Sequence, residues 1–386
     1  MAFKKMTQKA LDAVLKEYLG RGELVFKNYD LKGLDLSGRE MENVRFVNTN
    51  LSGANLKGIR LRNSDFKDCI LIGANLEGAN LFQVNFSGCA MQRTNLSHVQ
   101  IEGVGFKNTN MVNVNLRSTE MEFSQLNLFM DVNLNGANLS GAKLNWIYGE
   151  KVTFIQAVMK DSSITESSLK DCDFTDASMD DISLFSVKFV DCLMERTALP
   201  KSQIANTCFE TSRLKEVVFN GAEVEYVSFM DVKLEGTQFK GTNFHGTNQF
   251  QGGSLAESDF SGARFYEQVI VEGVDTEKVE GFSAAQRSVL VRGALANGYA
   301  PVVREKGYRE LSPNKEYQYH LDRFRAQFPG AEVDSGVDSK IVWTMIEQRY
   351  SLRTIRVAVA MLSPNAPKDG DDAKTYAEMI IGSVSV

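Results

Sequence analysis

From Phe26 to Ile270 every fifth residue is apolar, and the residue two before it is usually small. The apolar centres run Phe26, Leu31, Leu36, Met41, Phe46, Leu51, Leu56, Leu61, Phe66 and Leu71, and the register continues to Leu126. Two residues before successive centres stand Ala54, Ser64, Cys69, Ala74, Ala79, Cys89 and Thr94. Neither an α-helix nor an alternating strand has this period, so it belongs to a repeated unit. Phe46, Phe66, Phe86 and Phe106 recur every 20 residues, as do Phe189, Phe209 and Phe229, and Phe219 with Phe239. That interval predicts a square coil with one large side chain inside each face and a small one beside it. Coils stacked at strand spacing, about 4.8 Å, make roughly twelve turns and a rod on the order of 55–60 Å long.

The register breaks twice. After Leu126 the centres resume at Leu134, three residues out of step, and run to Phe244. They then resume at Phe250, one residue out of step, and end with Leu255, Phe260, Phe265 and Ile270. Each break predicts a bulge, the first holding Phe129 and Met130. Gly149 is a third irregularity, a glycine at a centre with Ile147 in the small slot.

An open coil end exposes apolar core and unpaired backbone, so both ends need covers. Thr7 reads as the N-cap of a helix burying Leu11, Val14, Leu15 and Tyr18 and ending at Gly20 or Gly22. After Gly273 the fivefold pattern gives way to helical periodicity over 282–299, 313–328, 339–350, 352–362 and 372–381. Ser312, Pro313 and Gly330 punctuate the second of these. The chain therefore divides into an N-terminal capping helix (1–22), a β-helix (23–270) and a C-terminal all-α domain (271–386). Ile341, Met345 and Ile346, the Tyr350-Ser351 turn, and Ile355 and Val359 outline a helix–turn–helix whose Arg353 and Arg356 face outward. That pair reads either as a nucleic-acid contact or as an ordinary antiparallel helix pair.

Ala54-Asn55-Leu56-Lys57-Gly58, Ala74-Asn75-Leu76-Glu77-Gly78 and Ala137-Asn138-Leu139-Ser140-Gly141 resemble the A-(D/N)-L-x-x motif of pentapeptide-repeat proteins. The resemblance covers Glu23 to Ile270 and implies an all-β fold, a right-handed quadrilateral β-helix. Members of that family include quinolone-resistance and toxin-immunity proteins that bind DNA gyrase, their acidic rods occupying the enzyme's DNA-binding saddle. Those relatives dimerise through a short C-terminal helix, which makes a homodimer one expectation here. Residues 338–381, ending in Asp372-Ala373-Lys374-Thr375-Tyr376-Ala377, also bear a faint similarity to C-terminal tails of plasmid relaxase and primase proteins.

Composition narrows the function. A net charge of −6 gives no basic excess for nonspecific nucleic-acid binding. No stretch is apolar enough for a membrane span or signal core, so the chain reads as soluble, and the family resemblance implies a bacterial cytoplasmic setting, with delivery into a host cell as the alternative. Cys69, Cys89, Cys172 and Cys192 all occupy small slots and read as reduced core thiols. His98 and His245 point outward and His320 lies in a helical segment, none with catalytic or metal-ligand spacing. A tube filled by its own side chains leaves no interior pocket. The reading is a non-enzymatic protein with no cofactor and no metal.

Two surfaces stand out. Residues 131–270 hold 20 acids against 12 bases. Asp161, Glu166, Asp171, Asp176 and Asp181 each follow a centre by two, joined by Asp173, Asp180, Asp191 and Glu195, in an acidic collar. The collar serves either solubility or as a decoy for a DNA-binding groove. Phe123, Trp146 and Tyr148 point outward beside the first break, with Phe129 and Met130, as a partner site or as a patch over a distorted coil. The leading expectation is a DNA-mimicking rod acting on DNA gyrase or topoisomerase IV. The alternatives are a scaffold or secreted effector that positions the C-terminal domain, and a mobile-element protein that contacts DNA through it.

Overall fold

The computed structural model describes residues 3–18, 22–121, 126–266 and 269–281, and the backbone of 294–295. The rod is a parallel β-solenoid. Phe26 pairs with Phe46, Phe46 with Phe66, and Phe66 with Phe86, each step being one coil of 20 residues. Face 1 carries Leu24–Lys27, Val44–Val47 and their successors, and faces 2, 3 and 4 follow in chain order at Asp30, Asp35 and Glu40–Glu42.

The corner dictates this shape. The residue two after each centre has a positive φ, as at Asn28 (61°), Gly53 (62°), Asn63 (46°) and Gly78 (64°). That conformation suits glycine and the short amides and acids, which is why those residues recur there. At many corners the next amide closes a turn onto the centre's carbonyl, as from Ala54 N to Leu51 O (3.0 Å) and Ala74 N to Leu71 O (2.9 Å). Centres donate to the following coil, Leu51 N to Ile70 O and Leu71 N to Ala90 O, both 2.7 Å. Asn ladders run up the outside of face 3, Asn115 donating to Asn95 and Asn95 to Asn75 at 3.0 and 3.2 Å.

Inside, Phe26, Phe46, Phe66, Phe86 and Phe106 stack with centroids 4.6–5.1 Å apart. The small slot asks for more than size. Thr49, Thr94 and Thr197 donate their hydroxyls to Phe26 O, Leu71 O and Phe174 O at 2.8 Å, each carbonyl belonging to a centre one coil back. Cys69 and Cys192 direct their thiols at Phe46 O and Leu169 O, both at 3.3 Å. These cysteines are free thiols. Hydrogen bonding to the Cys89 thiol and burial push the Cys69 thiol well above its ordinary range, which leaves it inert.

Three expectations need correction. Leu126 is not a centre: it is 50% exposed, and Phe129 takes the core place, pairing with Phe106 at a centroid distance of 5.0 Å. The added residues therefore precede Asn127, and Phe129 is core rather than bulge. Ile270 is half-buried, and Val271 faces inward as the partner of Phe250, because one more residue is inserted after Phe265. Pairing also runs past Ile270 to Glu280, which bridges to Asp259. The shift after Phe244 falls where the register places it, Phe229 pairing with Phe250.

Both major insertions share a device. Asn127 and Asn248 fill the small slot beside them and are fully buried. Asn127 Oδ1 accepts from Val104 N (3.1 Å), and Asn248 Oδ1 accepts from Val227 N (2.9 Å). Asn248 also donates to His245 O at 2.8 Å across the added residue. At Gly149 the ring ladder stops. A Cβ there would come within 2.6 Å of Leu169 Cδ2, so the neighbouring leucine fills the space a side chain would need.

The N-terminal cover is as the pattern predicts. Helix α1 (Gln8–Tyr18) is capped by Thr7, whose Oγ1 accepts from Ala10 N at 3.3 Å. It buries Leu11 fully, and Val14, Leu15 and Tyr18 pack partly against the core. Gln8 accepts from Asp35 N (2.8 Å) and donates to Asp35 O (2.9 Å), replacing the peptide of a missing coil on face 3. Lys4–Lys5 does the same on face 2 by pairing with Tyr29–Asp30. At the far end, the backbone of Ala294–Leu295 runs antiparallel to Val269–Ile270. The expected C-terminal helical segments lie outside the described residues.

Removing the amide at an insertion strands buried backbone groups. Asn248→Ala should cost about 1–3 kcal/mol in urea unfolding, and Phe66→Ala about 3–5. An Asn248→Ala midpoint equal to that of an exposed-site control would refute the role given to the amide.

Candidate functional site

The collar is a geometric fact of the corner. Asp161, Glu166, Asp171 and Asp176 occupy four successive corners, with φ of 56°, 47°, 52° and 59°, so they surround one coil. Asp181 and Asp191 stand one coil further along, above Asp161 and Asp171: Asp161 N donates to Asp180 O, and Asp171 N to Val190 O. All six are exposed.

Their surroundings differ. Asp176 receives a fork from Arg196, Nε to Oδ1 at 2.7 Å and Nη2 to Oδ2 at 3.0 Å, which holds its carboxyl below the ordinary value of 3.8. Glu195 meets Arg213 at 3.3 Å and Arg196 at 3.8 Å. Asp191 accepts from Thr211 Oγ1 at 2.6 Å, Asp173 accepts from Thr175 N at 2.9 Å, and Asp180 bonds to Ser178. Asp173, Asp180 and Glu195 are half-buried and serve these local contacts. Asp161, Asp171 and Asp181 make no ion pair among the described residues. Asp161 and Asp181 thus stand one above the other on the same edge, with Lys201 the next residue along it.

The backbone explains the residue class but not the charge. Corners elsewhere are met by Gly53, Gly58, Gly73, Asn108 and Asn113, which satisfy the same φ without repulsion. The acids at 161–191 are therefore a surface property added to a structural requirement.

The aromatic cluster is redrawn. Trp146 sits at the corner between faces 4 and 1 with φ of 57°, half-buried. Tyr148 lies on face 1 and donates to Glu150 Oε2 at 3.2 Å; burial, then that carboxylate, raises its pKa. Phe129 turns inward, whereas Leu128 (39% exposed) pairs beside Tyr148, with half-buried Met130 and exposed Leu126 nearby in the chain. Sequence reasoning missed Leu126 and Leu128 because it put the break too late. The available signal was Asn127, a polar residue two before a phenylalanine. Phe123, Arg353 and Arg356 lie outside the described residues.

Among the described residues no group of His, Cys, Asp and Glu is placed to hold a metal ion, and no helix is long and apolar enough to cross a membrane. His98 occupies a corner, φ 57°.

These features define a solenoid that presents charge and rings on an outer surface. Residues 39–116 match the family model for the pentapeptide repeat region, and residues 212–248 match that for pentapeptide repeats in eight copies. Both stretches of the rod carry pentapeptide repeats. Among solved structures it is similar to HetL, a pentapeptide repeat protein involved in heterocyst differentiation regulation from the cyanobacterium Nostoc sp. strain PCC 7120, at 13% identity and a TM-score of 0.32, covering 71% of this chain and 94% of that one. It is also similar to a trypsin-treated form of QnrB1, a plasmid-mediated fluoroquinolone resistance protein, at 15% identity and a TM-score of 0.21, covering 66% and 96%. The A-module of the Azotobacter vinelandii mannuronan C-5 epimerase AlgE4 aligns at 10% identity and a TM-score of 0.32, covering 71% and 90%. No curated protein sequence matches the chain.

The Asp176–Arg196 fork gives a pH signature. A carboxyl held below 3.8 contributes stability above that value and loses it as pH falls through the lower folded value. In Arg196→Ala, the Asp176 carboxyl followed by NMR should titrate closer to 3.8. An unchanged midpoint would mean the fork does not form in solution.

Proposed function

We propose that this chain is a non-enzymatic binding protein of the bacterial cytoplasm whose acidic mid-rod occupies the DNA-binding saddle of a type II topoisomerase, DNA gyrase or topoisomerase IV. The observation that carries the reading is the choice of Asp and Glu at consecutive corners where Asn or Gly meets the backbone requirement equally well. The pentapeptide repeats support it, since the gyrase-binding proteins that the rod resembles use acidic rods. A ring of charge around the rod suits a groove that wraps its ligand better than a flat surface does, and it speeds encounter with a basic site at low salt.

Leu126, Leu128 and Tyr148 favour a second reading, in which face 1 docks a protein and the rod acts as a scaffold. The two differ in salt dependence, charge-led binding weakening as salt screens it and apolar docking persisting.

The deciding experiment is gyrase supercoiling with the full chain and with an Asp161→Asn, Asp171→Asn, Asp181→Asn variant. Asparagine keeps the corner conformation, so the variant should fold and should need about ten-fold more protein for the same effect. No effect of the parent chain on supercoiling or on fluoroquinolone-induced cleavage at micromolar concentration would end the topoisomerase reading.

A further inference from the structure

We infer that the rings at the far end of the rod form a second docking surface, built to receive arginine or lysine side chains from a basic segment of a partner protein. Tyr226 and Tyr266 are each 52% exposed. Tyr226 sits at a corner with φ of 52°, a conformation that disfavours a bulky residue and that Asn206 occupies one coil earlier on the same edge. Neither backbone geometry nor core packing asks for a tyrosine there. Gly246 follows on that edge, and a Cβ on it would come within 2.6 Å of Tyr226 Cε1. The missing side chain lets the Tyr226 ring lie against the rod while the residue stays half exposed.

On face 4, His245 stacks on Tyr266 with centroids 4.5 Å apart and planes within 5°. His245 Nε2 is 2.9 Å from Glu223 Oε2, and Asn243 donates to Glu223 Oε1 at 2.7 Å, so the Glu223 carboxylate is held in a fixed orientation. Glu225 is exposed, pairs in register with His245 and precedes Tyr226 in the chain. Arg264 lies in register with Asn243 on the same face. Ring faces beside fixed carboxylates are complementary to a guanidinium or ammonium group, through cation–π attraction and charge together. The surface is separate from the acidic collar at 161–191, so it stands whether or not the rod engages a topoisomerase.

The test is fluorescence anisotropy of the full chain with a short fluorescein-labelled Arg-Gly repeat peptide. The parent should bind it saturably, and the Tyr226→Asn, Tyr266→Ser variant should bind about ten-fold more weakly. Tyr226→Asn alone should melt at the same temperature or higher, because asparagine is at ease at the corner, and this separates loss of the site from loss of the fold. Glu225→Gln should also weaken binding. The Asp161→Asn, Asp171→Asn, Asp181→Asn variant should bind the peptide as the parent does. Equal binding by the double tyrosine variant, an equal loss in the collar variant, or equal binding of a Glu-Gly repeat peptide would each overturn the assignment.

Discussion

A left-handed backbone step every five residues is the constraint from which the rest of this molecule follows. It turns the chain through a corner, returns it to the same face after 20 residues, and sets strand against strand in parallel. Because the step tolerates Gly, Asn and Asp best, it filters what can stand on the four edges of the rod. Between corners the chain is too short to be anything but a brief strand or turn, with one inward centre and one small inward companion.

The interior obeys a second rule that depends on the first. Since every coil repeats the one before, each core side chain meets its own equivalent, and phenylalanine meets phenylalanine in stacked columns. The narrow lumen leaves the carbonyls of the centres buried, and hydroxyls and thiols from the next coil reach them. Irregularity is tolerated only where a side chain can impersonate the missing backbone, as Asn127 and Asn248 do at the insertions and Gln8 does at the open end.

Much of this was legible from residue spacing. Period, coil length, phenylalanine columns, the Thr7 cap and the outward direction of the collar all follow from counting by five, because a tube this narrow leaves each position one environment. Counting failed where residues are added. Inserted chain has no inside or outside of its own, so Leu126 passed for a centre and Phe129 for a surface residue, and Ile270 was exchanged with Val271. The Tyr226–Gly246 and His245–Tyr266 pairings were equally hidden. They join residues about a coil apart on the outside, where the repeat fixes the backbone but not which side chains meet.

The end cover has a bearing on reach. Gln8, Lys4 and Lys5 meet the first coil through Asp35, Tyr29 and Asp30, and nothing in that arrangement counts how many coils follow. Length is therefore a free parameter of the design. Duplication or loss of a 20-residue module would move the collar and the terminal rings relative to the cap in increments of about 4.8 Å while leaving the N-terminal closure intact. The molecule behaves as a graduated ruler, on which the distance between two contact points is set by integer arithmetic in the gene.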